Sequence, residues 1–272
     1  MTSSHLLREL RVDPGSAPRL DRRDPGRRLG APDRQSGLER LQERVERLAV
    51  LHDRLSAEAS RAVVLVLQGM DASGKDGTIR HILTGVNPEN CRIVSFREPT
   101  APELAHDFLW RVHAVCPAHG ELGIFNRSHY EDVVAVRVRK LAPEHEWRRR
   151  YGHIRAFEHM LVDEGTTIVK VFLHVSHEEQ RVRLQERLDN PEKRWKFRLG
   201  DLDDRKRWDG YTEAYEEAIE ETSTEWAPWH IVPADHNWVR NLLVAELLVE
   251  TLERLDPKLP EPDPGLDGLK VA

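Results

Sequence analysis

An apolar run, Ala62-Val63-Val64-Leu65-Val66-Leu67, leads into Gly69-Met70-Asp71-Ala72-Ser73-Gly74-Lys75-Asp76-Gly77-Thr78. The run has the length and character of a strand buried on both faces, and a helix-like segment follows the glycine-rich turn. Strand, turn and helix in that order form a phosphate cradle, with backbone N–H groups and a helix N-terminus facing the anion. Gly69, Ala72, Ser73, Gly74, Asp76 and Gly77 are the candidate phosphate-binding positions, and Lys75 brings a point charge to the phosphates. One position departs from the ordinary P-loop: Asp76 stands where Ser or Thr would hold magnesium. A second acid, Asp71, sits inside the loop. Carboxylates here repel phosphate unless a divalent cation stands between them, so the loop indicates metal-bridged phosphate chemistry. A chance glycine-rich turn is the competing account, and it leaves the flanking strand and helix unexplained.

The rest of the chain alternates in the same way. Further strands are expected over 91–96, 121–126, 167–175 and 228–232, and helices over 38–55, 103–115, the 130s, 147–162 and 239–255. Alternation of this kind predicts an α/β protein, a P-loop αβα sandwich with a central parallel sheet of about five strands. A polar helical stretch over 177–224 reads as a lid. Residues 1–37, rich in Arg, Asp, Pro and Gly without periodicity, read as an irregular N-terminal arm. The main domain then spans 38–256, and 257–272 is expected to be a loose tail.

Composition bounds the function. No run of eighteen apolar residues exists, so no membrane span is expected, and no apolar leader is readable at the N-terminus. Two cysteines, Cys91 and Cys116, are too few for a disulfide framework and suit a reducing cytoplasm. A formal net charge of −6 argues against nucleic acid as a partner. Cys116-x-x-His119 has zinc-like spacing but no second pair at a usual distance.

Two further constellations carry chemistry. In Gly123-Ile124-Phe125-Asn126-Arg127-Ser128-His129-Tyr130-Glu131-Asp132, Asn126 occupies the strand-end position at which P-loop enzymes place a magnesium-organising acid. Asp71, Glu131 and Asp132 are then the candidate metal-side carboxylates, with Asp71 and Glu131 retained as the metal pair. Arg127, at the carboxyl end of a sheet strand, can hold two phosphate oxygens and stabilise charge during transfer. In the lid stretch, Arg181, Arg183, Arg187, Lys193, Arg194, Lys196, Arg198, Arg205, Lys206 and Arg207 crowd together on an otherwise acidic chain. A lid closing over phosphates needs such cations and must exclude water. The competing account is a solvated helix whose acids and bases pair along one face.

GMDASGKDGTIRHILTGVNP, GELGIFNRSHYEDV, NPEKRWKF and PWHIVPADHNW, in that order, resemble the polyphosphate kinase 2 family over roughly residues 40–255. Met-Asp in the loop, Asp after the Lys and Asn-Arg at the second motif resemble the subgroup known as class III. The resemblance implies a thymidylate-kinase-like fold with a helical lid, making 38–256 a P-loop kinase domain. It implies reversible transfer of the terminal phosphoryl group of inorganic polyphosphate to AMP or ADP, with Mg2+ or Mn2+ as cofactor. Family members usually form homo-oligomers, here a dimer or tetramer, and helix 38–55 offers a contact surface. By the same resemblance Asp71 serves magnesium or the acceptor phosphate, and Lys75 binds the transferring group. Asn126 stands where other subgroups carry Asp, and Arg127 clamps phosphate. Arg187 is the lid arginine near the transferred group, and Lys193 and Lys196 line the polyphosphate track. The partners expected are polyphosphate and adenine nucleotides. Two other readings share parts of the pattern: an ATP-dependent nucleoside monophosphate kinase, and a non-catalytic P-loop regulator. No Asn-Lys-x-Asp guanine signature supports the latter.

Overall fold

Residues 62–68 are buried at every position, as expected for a strand covered by helices on both faces. The computed structural model describes residues 3–30, 33–264 and 266. In chain order the elements are α1 (Ser3–Leu10), β1 (Arg11–Val12), α2 (Arg34–Glu58), β2 (Ala62–Gln68), α3 (Lys75–Ile82), β3 (Cys91–Ser95), α4 (Ala101–Leu104) and α5 (Trp110–His113). They continue with β4 (Leu122–Asn126), α6 (Ala135–Val138), α7 (Glu144–Asp163), β5 (Thr166–His174), α8 (His177–Asp189), α9 (Leu199–Lys206), α10 (Trp208–Thr222), β6 (Trp229–Pro233) and α11 (Asn237–Leu255). The sheet order is β1-β6-β5-β2-β4-β3, and every pairing is parallel except β1 with β6. β2 is central, with Leu67 opposite Asn126 of β4 and Gln68 opposite Phe172 of β5. The P-loop and the Asn126-Arg127 corner therefore leave the same edge of the sheet side by side. This is the edge at which open α/β sheets bind ligands.

Three expectations need correction. Among the described residues the sheet has six strands, and the sixth comes from the N-terminal segment read as irregular. Leu7, Leu10, Val12, Leu20 and Leu29 are buried there, and sparse apolar residues sufficed because charged groups satisfy the backbone. Arg23 donates from Nε to Pro18 O at 2.9 Å and from Nη1 to Glu9 O at 2.9 Å. The helix expected over 103–115 is two short helices, α4 and α5. The Asp107 carboxylate accepts from the N–H groups of Leu109 and Trp110, which starts a new turn instead of continuing the old one. The apolar face of 38–55 is also not a free contact surface. Leu41, Val45, Leu48 and Leu55 are buried on α2, which packs along α11. Residues 257–264 form no helix or strand, and the part of the tail at 267–272 lies outside the described residues. Among the described residues no helix is long and apolar enough to cross a membrane.

Candidate active site

The turn after β2 is built around two glycines. Gly69 has φ +147°, and a Cβ there would lie 2.7 Å from Leu173 O. Gly74, with φ +101°, caps α3, and a Cβ there would collide with the Arg240 guanidinium. Two arginines hold the loop from behind. Arg183 of α8 donates to Ala72 O (3.1 Å) and Ser73 O (3.2 Å), and also to Ala234 O and Asp235 O. Arg240 of α11 donates to Ser73 O at 3.2 Å. Loop carbonyls are thus drawn away from the mouth, while the first-turn amides of α3 remain at a helix N-terminus. Burial, together with the neighbouring Arg183, lowers the Arg240 pKa to about 9. Ser73 Oγ is buried without a hydrogen-bond partner among the described residues.

Lys75 lies folded onto its own loop, donating to Gly69 O at 2.8 Å and Met70 O at 3.2 Å. Burial and the neighbouring Arg127 cation lower its pKa to about 8, against the pull of Asp71 and Glu131. Arg127 has φ +62° and is fixed by its N–H to Leu67 O at 3.0 Å. Its guanidinium pairs with Asp71 on one side and with Glu131 Oε2 at 3.2 Å on the other. Burial opposes ionisation of Asp71, yet Arg127, Lys75, Arg187 and Arg139 together hold its pKa below the usual carboxylate range. Asp71, Lys75, Arg127 and Arg187 thus form one electrostatic cluster at the head of the sheet.

Asp76 and Asn126, the two departures from the ordinary P-loop pattern, face each other. Asn126 Nδ2 donates to Asp76 Oδ1 at 2.8 Å. Lys196 of the lid stretch reaches Asp76 Oδ2 at 3.8 Å. Lys193 is exposed in the connection after α8. Other lid cations pair locally: Arg181 with Glu178, Arg183 with Glu179 and Lys206 with Asp203. Asp132 does not face the cluster as a metal-side acid. Arg111 at 3.4 Å and Arg150 at 3.7 Å enclose it. Cys116 and His119 are likewise separate, with Cys116 bonded to Val112 O and His119 to Glu164 O.

Among the described residues no group of three or more His, Cys, Asp or Glu side chains could hold a metal unaided. Magnesium does not need one, because it is commonly held through one or two carboxylates plus substrate phosphates and water. An ionised Asp71 beside the P-loop fits that donor set. Glu131 shares the Arg127 guanidinium with Asp71, from its other side. Four contributors escaped the sequence reading. Arg240 and Gln180, which donates to Asp71 O at 3.0 Å, position the loop. Arg139 pairs with Asp204 of α9 across to the lid. Lys170, at the centre of β5, is fully buried. A lone charge inside an otherwise apolar run, as at Arg240 and Lys170, was the available signal.

Residues 31–260 match the family described as Polyphosphate kinase 2 (PPK2). The AMP/ADP-polyphosphate phosphotransferase of Meiothermus ruber is 57% identical over 266 residues, covering 97% of this chain and 100% of that protein. The ADP-polyphosphate phosphotransferase of Rhodopseudomonas palustris is 47% identical, covering 84% of this chain and 83% of that protein. The crystal structure of polyphosphate kinase 2 from Arthrobacter aurescens TC1 superposes with a TM-score of 0.91 at 41% identity, covering 97% of this chain and 93% of that one.

Proposed function

This chain belongs to the polyphosphate kinase 2 family, and from that premise we propose that it moves the terminal phosphoryl group of inorganic polyphosphate to AMP or ADP, reversibly. The observation that carries the reading is the cluster itself. Asp71, Lys75, Arg127 and Arg187 converge where the P-loop and the β4 corner leave the sheet, and a cationic lid continues beyond them. A polymer donor with a charge on every phosphate accounts for cations that extend beyond the P-loop. The relatives compared above are named for polyphosphate, so no observation favours an ATP-dependent kinase or a silent regulator.

In the proposed reaction the acceptor is an ionised phosphate oxygen, so no general base is required. One P–O bond forms to the acceptor, and the P–O bond to the shortened chain breaks in line with it. Lys75 leaves the carbonyls of Gly69 and Met70 for the transferring group. Arg127 and Arg187 neutralise its equatorial oxygens, and Lys193 and Lys196 guide the chain. The P-loop amides, with Ser73, Asp76 and Gly77 at the start of α3, orient the phosphates. Mg2+, or Mn2+ in its place, would be held by Asp71 and phosphate oxygens and supplies charge neutralisation between them when bound. Two free cysteines suit a cytoplasmic setting, and a homo-oligomer is expected from the family.

The test is nucleotide analysis after incubation of purified protein with AMP, Mg2+ and polyphosphate, without ATP. ADP followed by ATP is the expected result. Product formation only when ATP is the donor would refute the reading.

A further inference from the structure

Beneath the loop carrying Asn126, Arg127 and Glu131 lies a buried polar network. Lys170 is 0% exposed, and Glu158 and Tyr130 are 1% exposed. Lys170 Nζ donates to Glu158 Oε2 at 2.6 Å, to the Tyr130 hydroxyl oxygen at 3.1 Å and to Thr222 O at 2.7 Å. The Tyr130 hydroxyl donates in turn to Glu158 Oε1 at 2.7 Å. His129 Nε2 lies 3.3 Å from the same Glu158 oxygen. The Tyr130 backbone N–H donates to Ser128 Oγ at 3.2 Å, which closes the corner after Arg127.

A buried ion pair is weak evidence for stability, because apolar residues of similar volume often serve as well. What this pair does is fix geometry. It joins β5, α7, the corner after β4 and the last turn of α10, where the lid stretch returns to the sheet. Tyr130 stands three residues from Arg127 and next to Glu131, whose carboxylate holds the Arg127 guanidinium. Arg127 also keeps a left-handed backbone that a non-glycine residue adopts only where its surroundings impose it.

We propose that Tyr130, Glu158 and Lys170 act as a positioning triad that sets the Arg127 guanidinium against the P-loop. The inference rests on the phosphotransferase reading above. None of the three touches the reacting atoms. Through the loop they hold the clamp that does, and through Thr222 they tie it to the end of the lid.

Tyr130→Phe is the first test, since it removes one oxygen and keeps the Lys170 bonds to Glu158 and Thr222. The double variant Glu158→Gln/Lys170→Met is the second, removing both charges with little change in volume. Both are expected to melt cooperatively and to keep KM for polyphosphate within about threefold. The kcat should fall by ~10–100-fold, the scale on which a small misplacement at a reaction centre acts. In an Arg127→Ala background, Tyr130→Phe should lower kcat no further. A folded Tyr130→Phe enzyme with kcat within twofold of wild type would overturn the proposal. So would losses that simply multiply in the Arg127→Ala background, because they would mark a role independent of the clamp. Wild-type protein assayed alongside separates the two levels: no transfer from polyphosphate there would refute the function, not the triad.

Discussion

Replacing Arg127 by alanine and by glycine separates what its side chain does from what its backbone tolerates. Both changes remove the guanidinium that pairs with Asp71 and Glu131, so that loss is common to the two variants. Removing one preorganised donor from a charge-stabilising site slows turnover by ~10²–10³-fold, or about 3–4 kcal/mol of barrier. The side chain is 36% exposed, so the lost pairs contribute to stability closer to the surface range, on the order of 1 kcal/mol. The backbone adds a difference of opposite sign. At φ +62° a residue with a Cβ carries roughly 1–2 kcal/mol of strain that glycine does not. Glycine gives back about 0.5–1 kcal/mol through the freedom of its unfolded chain. Arg127→Gly should therefore be about 0.5–1 kcal/mol more stable than Arg127→Ala, a Tm roughly 1–4 °C higher in a chain of this size. Steady-state kinetics with AMP and polyphosphate, together with thermal melts of both variants, read the two effects independently. An alanine variant with kcat/KM within tenfold of wild type would sink the clamp assignment. A glycine variant less stable than the alanine one would sink the backbone argument.

Lys75→Met should abolish transfer while raising stability at pH 7, because wild type buries a cation whose pKa has fallen from 10.5 to about 8. The unfolded chain holds that proton more tightly than the folded one, so the penalty, about 3 kcal/mol, is full below pH 8 and fades as pH rises to 10.5. Chemical denaturation at pH 7 and pH 10 should show the gap between variant and wild type narrowing; a constant gap would exclude it. Gly74→Ala should lower both Tm and activity, since its Cβ would displace the Arg240 guanidinium from Ser73 O, and a wild-type melt would contradict that packing. Asn126→Asp would set a second carboxylate opposite Asp76, where the amide now donates at 2.8 Å. Two facing carboxylates attract a divalent cation more strongly, so the variant's activity should need a lower Mg2+ concentration for half-maximal rate, and an unchanged Mg2+ titration would refute the pairing.

Much of this arrangement was legible in the chain because the strongest local signals are also the ones that build the candidate site. The β2 run, the glycines at 69 and 74 and the Asn126-Arg127 corner each mark a position where backbone and chemistry demand the same residue type. The N-terminal segment was misread for the opposite reason. Its burial is distributed over Leu7, Leu10, Val12, Leu20 and Leu29, spaced too widely for periodicity, and its carbonyls are satisfied by Arg23. The lid cations illustrate a further limit. Nothing local distinguishes Arg181, paired with its own helix neighbour Glu178, from Arg183, two residues on, which crosses to the P-loop carbonyls. Both follow a glutamate at helical spacing, and only the packing of α8 over Ala72 and Ser73 assigns one to solvent and the other to the loop. Arg240 carries the same lesson from within α11. There, burial of a cation in an apolar helix is tolerated because its donors meet Ser73 O, Asn237 and Asn241. A charge that burial penalises and that the chain nonetheless retains therefore points to the backbone it holds: Arg240 to the P-loop, and Lys170 to the corner beside Arg127.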